Sequence, residues 1–126
     1  MDNEPQQKTL LIIEDDTDIL DILELIFQLE GYKVFRSETG AEIEDLKLMA
    51  PHLILLDLRL SAGGQEGAAI CLRLKAQEST RHIPIVLLSA EMNISTVCTE
   101  CGANDYIKKP FDMDHLSSKV RSLAHA

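Results

Sequence analysis

Leu53-Ile54-Leu55-Leu56-Asp57 is a run of four aliphatic residues closed by a carboxylate, with Pro51-His52 on its other side. A run this short, apolar at every position rather than at alternate ones, reads as a strand buried on both faces. Such strands lie in the middle of parallel sheets, and an open α/β sheet places its ligands at their carboxyl ends. Asp57 stands at that end. A carboxylate there costs stability unless something pairs with it, so the rest of the chain is read for what it brings to Asp57.

Upstream, residues 8–13 (KTLLII) form a first strand, followed at once by Glu14-Asp15-Asp16. Asp16 or Thr17 caps a helix over about residues 18–30, which Gly31 stops. Residues 32–35 are a second strand, and Thr39-Gly40-Ala41-Glu42 is a capping box that opens a second helix reaching about residue 50. Downstream of Asp57, a glycine-rich loop over residues 61–67 leads into a third helix over 67–77, with Ile70 and Leu74 inward. Residues 83–88 are a fourth strand, 93–101 a short helix and 104–108 a fifth strand. Asp112 caps the last helix, whose inward positions are Leu116, Val120 and Leu123. Strands separated by helices cannot pair as hairpins, so the sheet is parallel and its crossovers right-handed. The expected fold is α/β: a flavodoxin-like (βα)5 three-layer sandwich with strand order 2-1-3-4-5.

With 126 residues, 45 % of them hydrophobic and 26 % charged, the chain reads as one domain over residues 8–126 behind a polar tail at 1–7. The tail has no signal-peptide pattern and no apolar run reaches membrane-spanning length, so a cytoplasmic protein without a membrane partner is expected. Met1 and the short tail read as a natural start, and the chain ends with its fifth helix, so no output domain is expected. A net charge of −9 argues against nucleic-acid binding and suits a bound cation or a basic partner surface. Three cysteines are an odd number and argue against a disulfide framework. Cys98-Thr99-Glu100-Cys101 has the spacing of a redox or metal pair, but no second pair or nearby histidine completes a set, which favours ordinary buried thiols. The histidines show no ligand spacing and read as surface or satisfied residues. The first helix is apolar over an arc of roughly 220°. That leaves two readings: a deeply packed helix, or a partner surface that includes Leu25 and Leu29.

Every strand end except the second then offers a polar group: Glu14 and Asp15, Asp57, Ser89 and Lys109. In a parallel sheet these ends share one edge, and in the order 2-1-3-4-5 Asp15 and Asp57 meet at the switch point. Crowded carboxylates repel one another and raise their own pKa values, and a hard divalent cation relieves them. Mg2+ fits best, because it takes one or two carboxylates, keeps waters and reserves a place for a phosphate oxygen; Mn2+ is the alternative. A carboxylate beside Mg2+, a lysine and a hydroxyl is a phosphoryl-transfer site, with Asp57 as the nucleophile.

The stretches Leu11-Ile12-Ile13-Glu14-Asp15-Asp16, Leu55-Leu56-Asp57-Leu58-Arg59-Leu60, Val86-Leu87-Leu88-Ser89-Ala90 and Gly102 to Phe111 (GANDYIKKPF) resemble the receiver domain of the two-component response-regulator family. They span the chain apart from its N-terminal tail. The resemblance implies a CheY-like signalling protein whose Asp57 accepts a phosphoryl group from a sensor histidine kinase or a histidine phosphotransfer protein. It implies that Asp15, Asp57 and the backbone carbonyl of Arg59 bind Mg2+, with Glu14 acting through metal-bound water. Ser89 and Lys109 would hold the phosphoryl group, Tyr106 takes the switch-aromatic position, and the Lys109-Pro110 bond would be cis. Such a protein is no enzyme beyond gaining and losing phosphate at Asp57. Its output would go to an effector in trans, with homodimerisation or kinase docking at the apolar first helix.

Two departures from the family pattern stand out. The loop between Leu60 and Gly67 is about two residues longer than usual, and residues 89–102 are about two shorter, so the fourth helix should be short or displaced. Arg59, two residues past the phosphoacceptor, takes a position that tunes phosphoryl lifetime in the family. Three rival readings bear on the same residues. A flavodoxin-type flavin carrier needs a hydroxyl- and glycine-rich phosphate loop where this chain has Glu14-Asp15-Asp16. A haloacid-dehalogenase-type phosphatase needs a carboxylate where this chain has Arg59. A pseudo-receiver, which binds proteins without turning over phosphate, normally lacks one of the five polar groups.

Overall fold

The computed structural model describes residues 7–39, 46–59 and 66–125. Its elements alternate: β1 (Thr9–Ile13), α1 (Thr17–Leu29), β2 (Lys33–Ser37), α2 (Leu46–Met49), β3 (Leu53–Asp57), α3 (Glu66–Ala76), β4 (Ile85–Ser89), α4 (Ile94–Cys101), β5 (Asp105–Lys108) and α5 (Met113–Ala124). All strand pairings are parallel, in the order β2-β1-β3-β4-β5. The doubly wound α/β architecture read from the sequence is therefore the one observed. The capping box at 39–42 and the glycine-rich loop fall mostly outside the described residues. No helix among the described residues is long and apolar enough to cross a membrane.

The period of two along each strand divides the core. Leu10, Ile12, Leu53, Leu55, Val86 and Leu88 face α1 and α5, where they meet Leu20, Leu23, Phe27, Leu116 and Val120. Leu11, Ile13, Ile54, Leu56, Ile85 and Leu87 face the other way, against Leu46, Cys71, Leu74, Ile94 and Cys98. Burial on both faces explains why β1, β3 and β4 are apolar at nearly every position, and why all five residues of β3 are buried.

Local chemistry sets the element ends. Asp16 caps α1, its Oδ1 accepting from the amides of Asp18 and Ile19, and Gly31 follows the helix with φ 100°. Asp112 caps α5 in the same way. β4 begins at Ile85 rather than Ile83, because Pro84 has no N–H to give to a ladder. On α5 the buried set is Leu116, Ser117, Val120 and Ala124, and Leu123 is only half-buried at the core's margin. α4 has eight residues and closes on Gly102 in the left-handed conformation, which makes it short as expected. All three cysteines are free and buried, and they are not gathered to metal-ligand distance.

The two readings of α1 separate here. Leu20, Leu23 and Phe27 are buried, whereas Ile22, Leu25 and Leu29 are 55 %, 57 % and 78 % exposed. The apolar arc is wider than the sheet covers, and its outer half faces solvent. Leu25→Glu with Leu29→Glu should therefore change stability by only about 0.5 kcal/mol. Leu23→Ala should cost about 2–5 kcal/mol. Urea unfolding of the two variants measures both, and a large loss in the double variant would place Leu25 and Leu29 in the core.

Candidate functional site

Parallel strands deliver their carboxyl ends to one edge, and the β1–β3 and β3–β4 pairings set Glu14, Asp57 and Ser89 side by side there. The Glu14 amide donates to the Ser37 carbonyl at 3.0 Å, which carries the β1–β2 ladder one residue past the strand. The Glu14 side chain is fully buried. Its Oε2 accepts from the Asp16 amide at 3.3 Å and its Oε1 from Lys109 Nζ at 2.8 Å. Asp57 is also buried, with Oδ2 3.5 Å from Lys109 Nζ and Oδ1 accepting from the Arg59 amide at 3.3 Å. Asp15 is exposed, and one carboxylate oxygen each of Glu14, Asp15 and Asp57 lies within 4.8 Å of the others.

Lys109 is aimed into this cluster by its backbone. Its amide donates to the Ser89 carbonyl at 2.9 Å, and the Lys109–Pro110 peptide is cis. Ser89 is buried, and its Oγ accepts from the Glu91 amide at 2.9 Å. Asp57, Ser89, Ala90 and Lys109 line a cleft of about 460 Å3, with Arg59 and Glu91 on its rim.

The cluster is unbalanced. Burial pushes the Glu14 carboxyl up to about 7, helped by its hydrogen bond and charge contact with Asp57 and opposed by Lys109. Burial alone would pull the Lys109 ammonium down, but its hydrogen bond to Glu14 and the charge of Asp57 outweigh it, and the net shift is upward. With all three carboxylates ionised, three negative charges meet one positive charge, and the residual −2 is what one divalent cation neutralises. The donor set suits Mg2+, a hard cation that takes oxygen ligands only and needs open positions for water, which exposed Asp15 and the open cleft provide.

Glu14, Asp15, Asp57, Ser89 and Lys109 are thus brought together. Tyr106 is not in the cleft: it is half-buried on β5 and packs against the core on the α3–α4 side. Arg59 meets Asp57 through its amide, while its guanidinium pairs with Glu91. The sequence carried a readable sign of that pair, since Arg59 lies two residues past the end of β3, and Glu91 two past the end of the adjacent β4. Gly67 was not recognised as part of the site. Its amide donates to the Leu58 carbonyl at 3.1 Å, and a Cβ there would stand 2.2 Å from the Asp57 carbonyl oxygen. Only glycine lets α3 start this close to the strand end that carries Asp57.

Residues 10–121 match the family model of the response regulator receiver domain. The chain belongs to that family. Receiver domains are signalling domains of two-component systems that interact with histidine kinases and bind Mg2+ in an acidic site. The DNA-binding dual master transcriptional regulator RpaA of Synechocystis sp. is 35 % identical over 117 residues, covering 90 % of this chain and 48 % of that protein. The signal receiver domain of a signal transduction histidine kinase from Syntrophus aciditrophicus is 32 % identical, with a TM-score of 0.82 over 94 % of this chain and 90 % of that one. The receiver domain of sensor histidine kinase PA1611 from Pseudomonas aeruginosa PAO1, with a magnesium ion in its active site cleft, is 25 % identical, with a TM-score of 0.83 over 96 % and 100 %. The chain spans about half the length of the curated relatives it matches. RpaA is DNA-binding, so membership of this family does not support the expectation, drawn from net charge, that nucleic acid is excluded.

Gly67→Ala should force β3 and α3 apart at Asp57. The expected cost is about 1–3 kcal/mol in chemical unfolding, with amide chemical shifts changing at Asp57 and Leu58. A variant with unchanged stability and shifts would show that the contact yields freely.

Proposed function

We propose that the chain is a Mg2+-dependent phosphoacceptor that takes a phosphoryl group onto Asp57 from a sensor histidine kinase or a histidine phosphotransfer protein and passes the signal to a partner protein. The observation that supports this most is the position of Asp57: buried at a strand end, 3.5 Å from Lys109 Nζ and within ligand distance of Glu14 and Asp15.

A carboxylate oxygen of Asp57 attacks phosphorus. The new O–P bond forms as the donor's P–N bond breaks, and the imidazole nitrogen leaves with the electron pair. Asp15, Asp57 and the Arg59 carbonyl would hold Mg2+, with Glu14 acting through a water. The bound cation supplies positive charge to the phosphoryl oxygens during transfer. Lys109 contributes its ammonium, already held at the cluster by Glu14. Ser89 Oγ accepts from the Glu91 amide, which leaves its own proton to donate to a phosphoryl oxygen.

Phosphorylation adds close to two negative charges and three acceptor oxygens. In this reading Ser89 is drawn toward them, Tyr106 turns into the space it leaves, and the α4–β5 face changes shape. Arg59 reaches the cleft rim paired with Glu91, so its influence on phosphoryl lifetime would act through that pair. The two states need differ by only a few kcal/mol for this to work as a switch.

Incubation with Mg2+ and acetyl phosphate should add one phosphoryl group by intact mass. The adduct should be absent without Mg2+ and absent in Asp57→Asn. A folded protein that gains no phosphoryl group from acetyl phosphate or from any histidine kinase tested would instead be a pseudo-receiver.

A further inference from the structure

A cavity larger than the cleft at the acidic edge lies elsewhere in the described structure. It lies at the opposite, amino-terminal edge of the sheet, where β1, β3 and β4 begin, and measures about 640 Å3. That is within the range of small-molecule sites, roughly 300–1,000 Å3. Its floor is apolar, made by Leu46, Pro51, Ile83, Pro84 and Leu123. Among the described residues its ionisable lining groups are all basic, Lys8, His52 and His82, with Ser79 and Thr80 beside them.

These three groups are poised to donate. Lys8 is half-buried, and among the described residues neither its ammonium nor the His82 ring has an ionic or hydrogen-bonding partner. His52 Nδ1 accepts from the Thr9 amide at 3.0 Å, which puts the ring's proton on Nε2 as a free donor. Burial, the Lys8 charge and the charge of His125 all hold this imidazole below its ordinary value, so it stays a neutral donor and the local field is positive.

We propose that this cleft binds a small amphipathic anion, with its apolar body on the Leu46–Ile83–Leu123 floor and its carboxylate, sulfonate or phosphate held by Lys8 and His82. The site shares no residue with the Asp57 cluster, so the two readings stand or fall separately.

The test uses the whole chain and the dye anilinonaphthalene sulfonate, an apolar body with one anionic group. Titration should give saturable, one-to-one fluorescence enhancement, with amide shifts confined to Thr9, His52, Ile83 and their neighbours. Lys8→Glu with His82→Glu should weaken binding by about tenfold or more, with the remaining amide spectrum unchanged. Leu25→Glu with Leu29→Glu, which alters the exposed apolar face of α1, should leave the affinity as it is. Unsaturable binding, shifts on α1 or around Phe111 instead, or equal affinity in the Lys8/His82 variant would each overturn the proposal.

Discussion

Glu14, Asp15 and Asp57 bring carboxylate oxygens to within 4.8 Å of one another, and among the described residues Lys109 is the only ammonium that reaches them. Crowding like charges at a buried edge is unfavourable, and the fold holds them there through the backbone rather than through their own attraction. Glu14 is pinned by the Ser37 carbonyl, Asp57 by its place in β3, and Lys109 by the Ser89 carbonyl. The strain is expressed as the raised Glu14 carboxyl rather than as a displaced chain. With its three carboxylates ionised, a site of this kind is incomplete by two positive charges, which is the basis for assigning it a divalent cation.

The scaffold follows from the same strands. β1, β3 and β4 are apolar at successive positions because each face of the sheet has its own layer of helices. That double coverage makes the sheet rigid, and its carboxyl edge inherits the rigidity. Gly67 extends it: α3 starts in direct contact with the Asp57 backbone, so β3 is braced from the helix side as well. The interactions on the cleft rim differ in character. Arg59 and Glu91 are partly exposed side chains paired across the opening, and pairs of that sort are weak and readily exchanged. A firm floor under a labile rim suits a site that must admit and release a group.

The fold was legible because β3 is apolar at every position before Asp57 and because five strand-like runs alternate with helical ones. The site was legible because parallel topology sends every strand's carboxyl end to one edge, so Glu14, Asp57, Ser89 and Lys109 could be placed together from their positions alone. Three things were not legible, each for a physical reason. Periodicity counts the apolar residues of α1 but not the neighbours available to cover them, so the exposure of Ile22, Leu25 and Leu29 needed coordinates. A glycine at a helix start does not reveal what it touches, and Gly67 went unnoticed. A charge expected to face a phosphoryl group takes its partner by distance: Lys109 lies nearer Glu14 than Asp57.

The central claim is that the acidic cluster is a divalent-cation site built around Asp57, and calorimetric titration with Mg2+ tests it most directly. The account predicts one bound ion per chain, with binding lost or greatly weakened in Asp15→Asn and in Asp57→Asn while both variants remain folded. Binding of equal strength in those variants, or no binding to the unaltered chain, would contradict it.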